Sequence, residues 1–148
     1  MMIPKFRAWN GHRKIMADYV SAIQNGDTQG TPSSVNVVVN GKNETWDIKN
    51  DHVELLQSTG LKDVNGKNIY EGDVVRVFDV YEDVGYVDVI IWGGKDDYPA
   101  FDLKNHAMNY DANALSSIFN GDFETIEVIG NVHMNPELLE EEKWAMKN

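Results

Sequence analysis

The stretch Gly60–Asn68 comes closest to a ligand-binding loop by residue type and spacing. In a phosphate-binding P-loop, four residues separate two glycines, and the second glycine is followed by Lys and then by Ser or Thr. Here five residues separate Gly60 from Gly66, and Asn68 stands where the magnesium-binding hydroxyl should be. The Ile-Tyr-Glu-Gly-Asp sequence that follows is a poor start for a phosphate-binding helix. We therefore interpret the stretch as a turn and not as a nucleotide site.

Histidines and serines offer no recognisable catalytic or metal-binding spacing. The four histidines are scattered along the chain, at His12, His52, His106 and His133. A lone histidine is more often a surface or satisfied core residue than a ligand. The serine pairs Ser33-Ser34 and Ser116-Ser117 lie in no nucleophile-elbow context.

One acidic cluster, in a predicted turn between two strands, has the oxygen-rich composition that calcium prefers: Asp79, Glu82 and Asp83. The cluster lacks the glycine and the terminal Glu of a calcium loop, so a solvated turn is the favoured interpretation. We therefore predict no catalytic residue, no metal ligand and no bound cofactor.

The composition restricts the class of protein more than these motifs do. The chain has 148 residues, a formal net charge of −11 and no cysteine, which excludes disulfides, Cys-ligated zinc and thiol nucleophiles. Its acidic charge argues against unguided binding to nucleic acid, because such binding relies on Lys and Arg. No stretch approaches the ~20 apolar residues of a membrane span, and no apolar secretion signal is present. We expect a soluble protein of the bacterial cytoplasm.

Hairpin turns are the strongest local signal in the chain. Asn-Gly pairs occur five times, beginning at Asn10, Asn25, Asn40, Asn65 and Asn120. Such a pair between alternating apolar runs favours a two-residue hairpin turn. Residues 34–48 show it best, because Val35, Val37 and Val39 share one face before the turn at Asn40-Gly41-Lys42, and Trp46 and Ile48 alternate after it.

Three further β-branched runs predict strands at Val74–Val80, Val87–Trp92 and Thr125–Val132. Residues Asp111–Phe119 fit either a two-turn helix capped by Asp111 and Asn120-Gly121 or a strand that feeds a hairpin. A C-terminal helix is predicted over 136–146, with Asn135 as its N-cap. The stretch Asn25–Ser34 is predicted to be a long surface loop.

Three evenly spaced glycines punctuate the stretch Leu56–Val75, at Gly60, Gly66 and Gly72. Glycine accepts a positive φ without steric cost, and Asn65-Gly66 is the preferred pair of a type I′ turn. We interpret these residues, together with Asp73, as a structural turn motif that leads into the next strand.

A few cations and aromatic side chains define a candidate interaction face, formed by Arg7, Trp9, Arg76 and Trp92. A groove lined by further aromatic side chains is also conceivable at Tyr70, Tyr81, Tyr86 and Trp92. Aromatic residues at strand spacing are more often core or interface residues. A second candidate, a basic patch for nucleic acid, comprises Arg7, Trp9, Arg13 and Lys14.

Three motifs, in the same order, resemble the YopX-like family of phage and prophage proteins: Pro4–Trp9, Leu56–Val75, and Glu127–Asn131 followed by Asn135–Leu139. The chain departs from the family pattern at Ser58, Val64 and His133-Met134. The resemblance implies a β-rich fold and a phage or prophage origin. It implies no reaction, since the family carries no assigned catalytic residues.

These observations predict a mainly β fold, either an antiparallel hairpin-rich sheet or a small barrel, with a short C-terminal α-helix. The expected organisation is a single YopX-like domain over residues 1–148, with 1–50 as a candidate N-terminal subdomain, 51–135 as a β-rich body and 136–146 as the terminal helix. We expect a non-enzymatic accessory protein that binds a host or phage protein, and that forms a homo-oligomer. The alternatives are a nucleic-acid-associated phage protein and an unrecognised hydrolase.

Overall fold

Antiparallel strands form most of the chain in the computed structural model, which describes residues 5–26, 32–81, 84–93, 100–110, 113–121 and 123–139. The prediction of a mainly β, hairpin-rich fold is confirmed. The chain divides into two compact units, Met1–Ser58 and Thr59–Asn148. No helix within the described ranges is long and apolar enough to cross a membrane.

The first unit contains five strands and the first half of a sixth: β1 (Phe6–Asn10), β2 (Ile15–Met16), β3 (Tyr19–Asn25), β4 (Pro32–Val39), β5 (Lys42–Asp47) and β6 (Val53–Lys62). Strand β1 lies between β2 and β6, and both pairings are antiparallel. Strands β3, β4 and β5 form an antiparallel sheet in chain order. The loop predicted over Asn25–Ser34 is shorter than expected, because β3 extends to Asn25 and β4 begins at Pro32; residues 27–31 lie outside the described ranges.

The hairpin between β4 and β5 confirms the strongest local prediction. Val39 pairs with Lys42, so that the loop has two residues. Asn40 and Gly41 have φ values of 51° and 78°, the positive pair that a type I′ turn requires. Val35 and Val37 are fully buried on the predicted shared face. They pack in one core with Ala8, Ala17 and Trp46.

The second unit, which begins within β6 at Thr59, contains β7 (Asn68–Tyr70), β8 (Asp73–Asp79), β9 (Val84–Trp92), β10 (Phe101–Leu103), a 3-10 turn (Ala107–Asn109), α1 (Ala114–Asn120) and β11 (Glu124–Asn131). Four of its strands form an antiparallel sheet in the order β10-β9-β8-β11, so the three predicted strands are confirmed. Helix α1 packs against β10 and β11. The core combines β-branched strand residues with Ala114, Leu115 and Ile118 of the helix.

The helix α1 settles the ambiguity at residues 111–119. Its N-cap is Asn113, whose side chain accepts a hydrogen bond from the Ser116 amide at 3.1 Å. The predicted cap, Asp111, lies outside the described residues. Asn113 is therefore the cap that the helix uses, and Gly121 ends the helix as predicted by donating its amide to the Ser117 carbonyl at 3.0 Å.

The predicted terminal helix is described only in its first turn, at residues 137–139, where the Leu138 and Leu139 amides donate to the Asn135 and Pro136 carbonyls. Residues 140–146 of the prediction lie outside the described ranges. Asn135 differs from its predicted role, because its side chain accepts from the Asn131 amide of β11 at 3.3 Å. The amide side chain thus reaches back to the strand, and it packs against Gly130.

The glycine-rich motif adopts turns, although one of them differs in type from the prediction. Gly60, Gly66 and Gly72 all have positive φ, between 80° and 85°. Asn65 does not have a positive φ. Because a type I′ turn needs a positive φ at both central residues, Asn65-Gly66 is not a type I′ turn. The Asp63 carbonyl instead accepts the Gly66 amide at 3.0 Å, as in a three-residue loop that ends in a left-handed glycine.

The reason for this difference is the Asp63 side chain. Its Oδ1 accepts the amides of Asn65 at 2.9 Å and Lys67 at 2.8 Å. These bonds hold the backbone in the wider turn. Further along the motif, the buried Asp73 carboxylate likewise accepts the Tyr70 amide at 2.8 Å. Buried carboxylates therefore organise the motif together with the glycines.

Replacing Gly66 with Ala tests the conformational requirement alone, because a Cβ at this position meets no atom within 4 Å. We expect a loss of about 1–2 kcal/mol in the free energy of unfolding, the usual strain of a side chain in the left-handed region. The free energy of unfolding should fall less for Gly66→Asn than for Gly66→Ala, since Asn tolerates the left-handed region. Urea unfolding measures both values; equal stability of Gly66→Ala and the wild type would contradict the assignment of the turn.

Candidate functional site

A groove of about 420 Å³ lies beside α1 in the second unit. Three aromatic side chains line it: Trp92, Phe101 and Phe119. Neutral polar side chains of Asn113, Ser116 and Asn120 complete much of its lining. The volume falls within the usual range of ligand clefts, about 300–1,000 Å³, and the lining offers apolar area together with hydrogen-bonding groups.

The strand pairing positions the first two aromatic residues. Trp92 on β9 lies directly opposite Phe101 on β10. Their rings meet edge to face, with centroids 4.8 Å apart and planes at 69°. Trp92 nevertheless remains 47 % exposed, and Phe119 at the end of α1 is 38 % exposed. The groove therefore presents a fixed aromatic surface to solvent.

Hydrogen bonds attach the helical wall of the groove to the edge strand β10. The Asn113 side chain donates from Nδ2 to the Phe101 carbonyl at 2.7 Å, in addition to its capping role. The Asp102 carboxylate is almost fully buried and accepts the amides of Ala114 at 3.1 Å and Leu103 at 2.8 Å. The start of α1 is thereby fixed relative to Phe101, so the groove is preformed.

A second polar cluster fixes the segment that follows β10. Asp88, fully buried on β9, accepts the amides of Asn105 at 2.9 Å and His106 at 2.8 Å. It also accepts from His106 Nδ1 at 2.7 Å. The imidazole stacks on the Tyr86 ring, with centroids 4.0 Å apart and planes at 21°. The buried charge is thus satisfied by several donors, as a carboxylate in an apolar interior requires.

Two tyrosine hydroxyls extend this cluster towards β11. The hydroxyls of Tyr86 and Tyr110 are hydrogen-bonded to each other, and Tyr110 donates to Glu124 Oε2 at 2.9 Å. Burial raises the pKa of Tyr86 well above its ordinary value, and burial likewise raises the pKa of Tyr110 to about 12. Both phenols are therefore neutral hydrogen-bonding groups at physiological pH, and neither is an activated nucleophile. The cluster holds three chain segments together.

The predicted interaction residues divide between the two units, and the two in the second unit lie on opposite sides of their sheet. Arg7 and Trp9 belong to the first unit, where Trp9 is only 9 % exposed. Arg76 and Trp92 belong to the second unit. Trp92 lies on the same side of β9 as Tyr86, which pairs with Val77 on β8, whereas Arg76 points to the opposite side. This follows because successive side chains along a strand alternate between faces.

Of the four aromatic residues considered for a groove, Tyr70, Tyr81, Tyr86 and Trp92, only Trp92 lines the groove beside α1. The pairing of Asp88 with His106 was not predicted. A signal for it exists in the sequence: Asp88 interrupts the apolar run Val87–Trp92 at a buried position of its strand. Within the described ranges, no group of three or more His, Asp or Glu residues could hold a metal ion.

Comparison with known proteins gives a family and a fold. The family model described as YopX protein matches residues 5–140. Protein EF1440 from Enterococcus faecalis is similar in structure, with a TM-score of 0.64 and 29% sequence identity over 94% of this chain and 99% of that one. Protein yopX from Bacillus subtilis shares the fold, with a TM-score of 0.57 and 22% identity over 90% and 96% of the two chains. No curated protein matches the sequence.

Proposed function

Because this chain belongs to the YopX family, we propose that it is a phage or prophage accessory protein that acts without catalysis, by binding another polypeptide in the groove beside α1. The observation that carries this proposal is the preformed aromatic lining of Trp92, Phe101 and Phe119. Phage or prophage origin is what the family resemblance implies. The partner is a protein of the host or of the phage.

Several features of the groove favour a polypeptide as its ligand. Aromatic side chains are enriched at the centres of protein interfaces, where they contribute most of the binding free energy. Ser116 and Asn120 supply neutral polar groups of the kind that pair with a peptide backbone. The hydrogen bond that attaches Asn113 to Phe101 fixes the wall in advance, which reduces the entropy cost of binding.

Self-assembly through the groove is the second form of the same proposal. A second copy of the chain would then contribute the polypeptide that fills the groove, and the protein would be a homo-oligomer. Light scattering at several concentrations distinguishes the two forms. If the wild type is an oligomer and Trp92→Ala is a monomer, the groove mediates self-assembly. If the wild type and Trp92→Ala have the same mass, the groove binds a different partner.

Replacing Trp92 with Ala is the direct test of the binding groove. We expect binding of the partner to weaken at least about tenfold, as for a central aromatic residue of an interface. The tagged wild type, Trp92→Ala and Tyr19→Ala would each be used to capture proteins from prophage-bearing cells. The captured partner is then purified for titration with each variant. Tyr19 is a matched control, since it is an exposed aromatic residue of the first unit.

The control outcome separates binding from folding. Tyr19→Ala should retain the wild-type affinity, and circular dichroism should show that Trp92→Ala is folded at the temperature of the titration, although loss of the contact with Phe101 lowers its unfolding temperature. Equal affinity of all three proteins would contradict the groove as the binding site. Cleavage or chemical modification of the partner by the wild type would contradict the absence of catalysis.

A further inference from the structure

Three exposed apolar side chains, two of them aromatic, lie at the end of the β8–β11 pair. We call the surface that they form the aromatic knob: Val80, Tyr81 and Phe123. These side chains are 51 %, 72 % and 62 % exposed. Scattered exposed apolar residues are common in soluble proteins, but adjacent ones mark interaction sites. The knob shares no residue with the groove beside α1, so binding at the knob does not depend on the proposed function.

Hydrogen bonds and ring packing preorganise the knob. The Val80 amide donates to the Phe123 carbonyl at 2.9 Å, one step beyond the last strand pair, Asp79 with Glu124. The Tyr81 amide donates to Asp79 Oδ1 at 2.9 Å. The rings of Tyr81 and Phe123 meet edge to face, with centroids 5.7 Å apart. The two aromatic rings are therefore held together at the surface while most of each side chain remains exposed.

The two chain segments that carry the knob, one with Val80 and Tyr81 and the other with Phe123, have only acidic charged residues next to it in the sequence. Asp79 and Glu124 lie at its base. In the sequence, Glu82 and Asp83 follow Tyr81 directly, and Asp122 precedes Phe123. No Lys or Arg occurs between Arg76 and Lys95 or between Lys104 and Lys143. A cation on another segment, Lys62, lines the same shallow depression as Glu124.

From this combination we infer that the aromatic knob is a docking surface for a basic polypeptide segment, one that carries Lys or Arg on both sides of an apolar side chain. The aromatic pair supplies the apolar contact, and the carboxylates of Asp79 and Glu124, with the acidic residues next to the knob in the sequence, attract the cations and steer the encounter. A second copy of this chain is disfavoured because it brings the same negative charge. An anionic lipid surface is disfavoured for the same reason.

Three synthetic peptides test this inference by NMR titration of the full chain, up to about 1 mM peptide. The first has two Arg residues on each side of Leu-Leu-Trp, the second has Glu in place of Arg, and the third keeps Arg but has Ser in place of the apolar residues. We expect shifts at Tyr81 and Phe123 with the first peptide only. Binding should weaken at least about tenfold between 50 and 500 mM salt, since exposed charges are then screened.

Variants of the knob complete the test. Tyr81→Ser and Phe123→Ser should each weaken binding of the first peptide at least about tenfold, whereas Tyr19→Ser should retain it. Tyr81 and Phe123 are both exposed, and unfolding curves verify that the variants fold. Absence of binding by the first peptide, or equal binding by the second, overturns the inference. A wild-type dimer that Phe123→Ser dissociates also overturns it, in favour of self-association.

Discussion

Replacing Asp88 with Ala is expected to destabilise the second unit by about 3–5 kcal/mol, because several hydrogen-bond donors lose the buried carboxylate that accepts them. The carboxylate is fully buried and accepts the backbone amides of Val89, Asn105 and His106, together with Asn105 Nδ2 and His106 Nδ1. Its removal leaves these donors without an acceptor, and each donor that stays buried and unpaired costs about 1–3 kcal/mol. The space left by the carboxylate adds to the loss.

Urea unfolding followed by tryptophan fluorescence measures this loss. Glu71→Ala is a matched control, because Glu71 is an acidic residue outside the cluster, and we expect it to change stability by less than about 0.5 kcal/mol. Hydrogen exchange then locates the effect, since the amides of Asn105 and His106 should lose protection first. A loss below about 1 kcal/mol for Asp88→Ala would show that the cluster contributes little to the fold.

The second large effect is expected at Asp63, whose carboxylate joins the glycine-rich turn to β11. Its Oδ1 accepts the Asn65 and Lys67 amides, and its Oδ2 accepts the Val128 amide at 2.8 Å. Asp63→Asn replaces one accepting oxygen with a donor and removes the charge. We therefore expect a loss of about 2–3 kcal/mol at neutral pH, because hydrogen bonds to a charged group contribute about 1.5–3 kcal/mol.

The pH dependence of this loss follows from the pKa of Asp63. Burial raises this pKa, but the hydrogen bonds from Val128, Lys67 and Asn65 outweigh burial and hold the pKa below its ordinary value. A carboxyl with a lowered pKa stabilises the fold above its unfolded pKa of about 3.9, and this stabilisation is lost as the pH falls through the folded pKa. The difference between the wild type and Asp63→Asn should therefore be full at neutral pH and narrow in acid.

Urea unfolding of both proteins at neutral pH and at about pH 3 measures this narrowing. Glu71→Gln is the control for general effects of charge, and its difference from the wild type should remain within about 0.5 kcal/mol at both pH values. A difference for Asp63→Asn that stays constant, or that grows in acid, would contradict the role assigned to the ionised carboxylate.

Local patterns predicted those parts of the fold that depend on neighbouring residues. The alternation of Val35 and Val37 gave the buried face of β4, and Asn40-Gly41 gave the turn type, because both depend on a few adjacent positions. Asn65-Gly66 misled the prediction of turn type because the acceptor that selects the wider turn is the side chain of Asp63. A dipeptide preference is thus overridden by one well-placed carboxylate.

The candidate sites depended on pairings that the sequence does not display. Trp92 and Phe101 become neighbours only through the register of β9 and β10, and Asp88 meets His106 through the turn after β10. The separation of Arg76 from Trp92 follows from the same strand register. A single sequence reveals which residues are aromatic or charged, but the register decides which of them share a surface.

The pairing of β1 with β6 has a consequence for the order in which the first unit folds on the ribosome. Phe6 lies opposite Gln57, and Asn10 lies opposite Val53. Strand β1 leaves the ribosome first, whereas its partner is among the last residues of the unit to be synthesised. The β4–β5 hairpin has a two-residue loop, so its contacts join residues that are close together in the sequence and are synthesised before β6. The nascent chain therefore carries the β6-facing edge of β1 unpaired until Val53–Gln57 emerge.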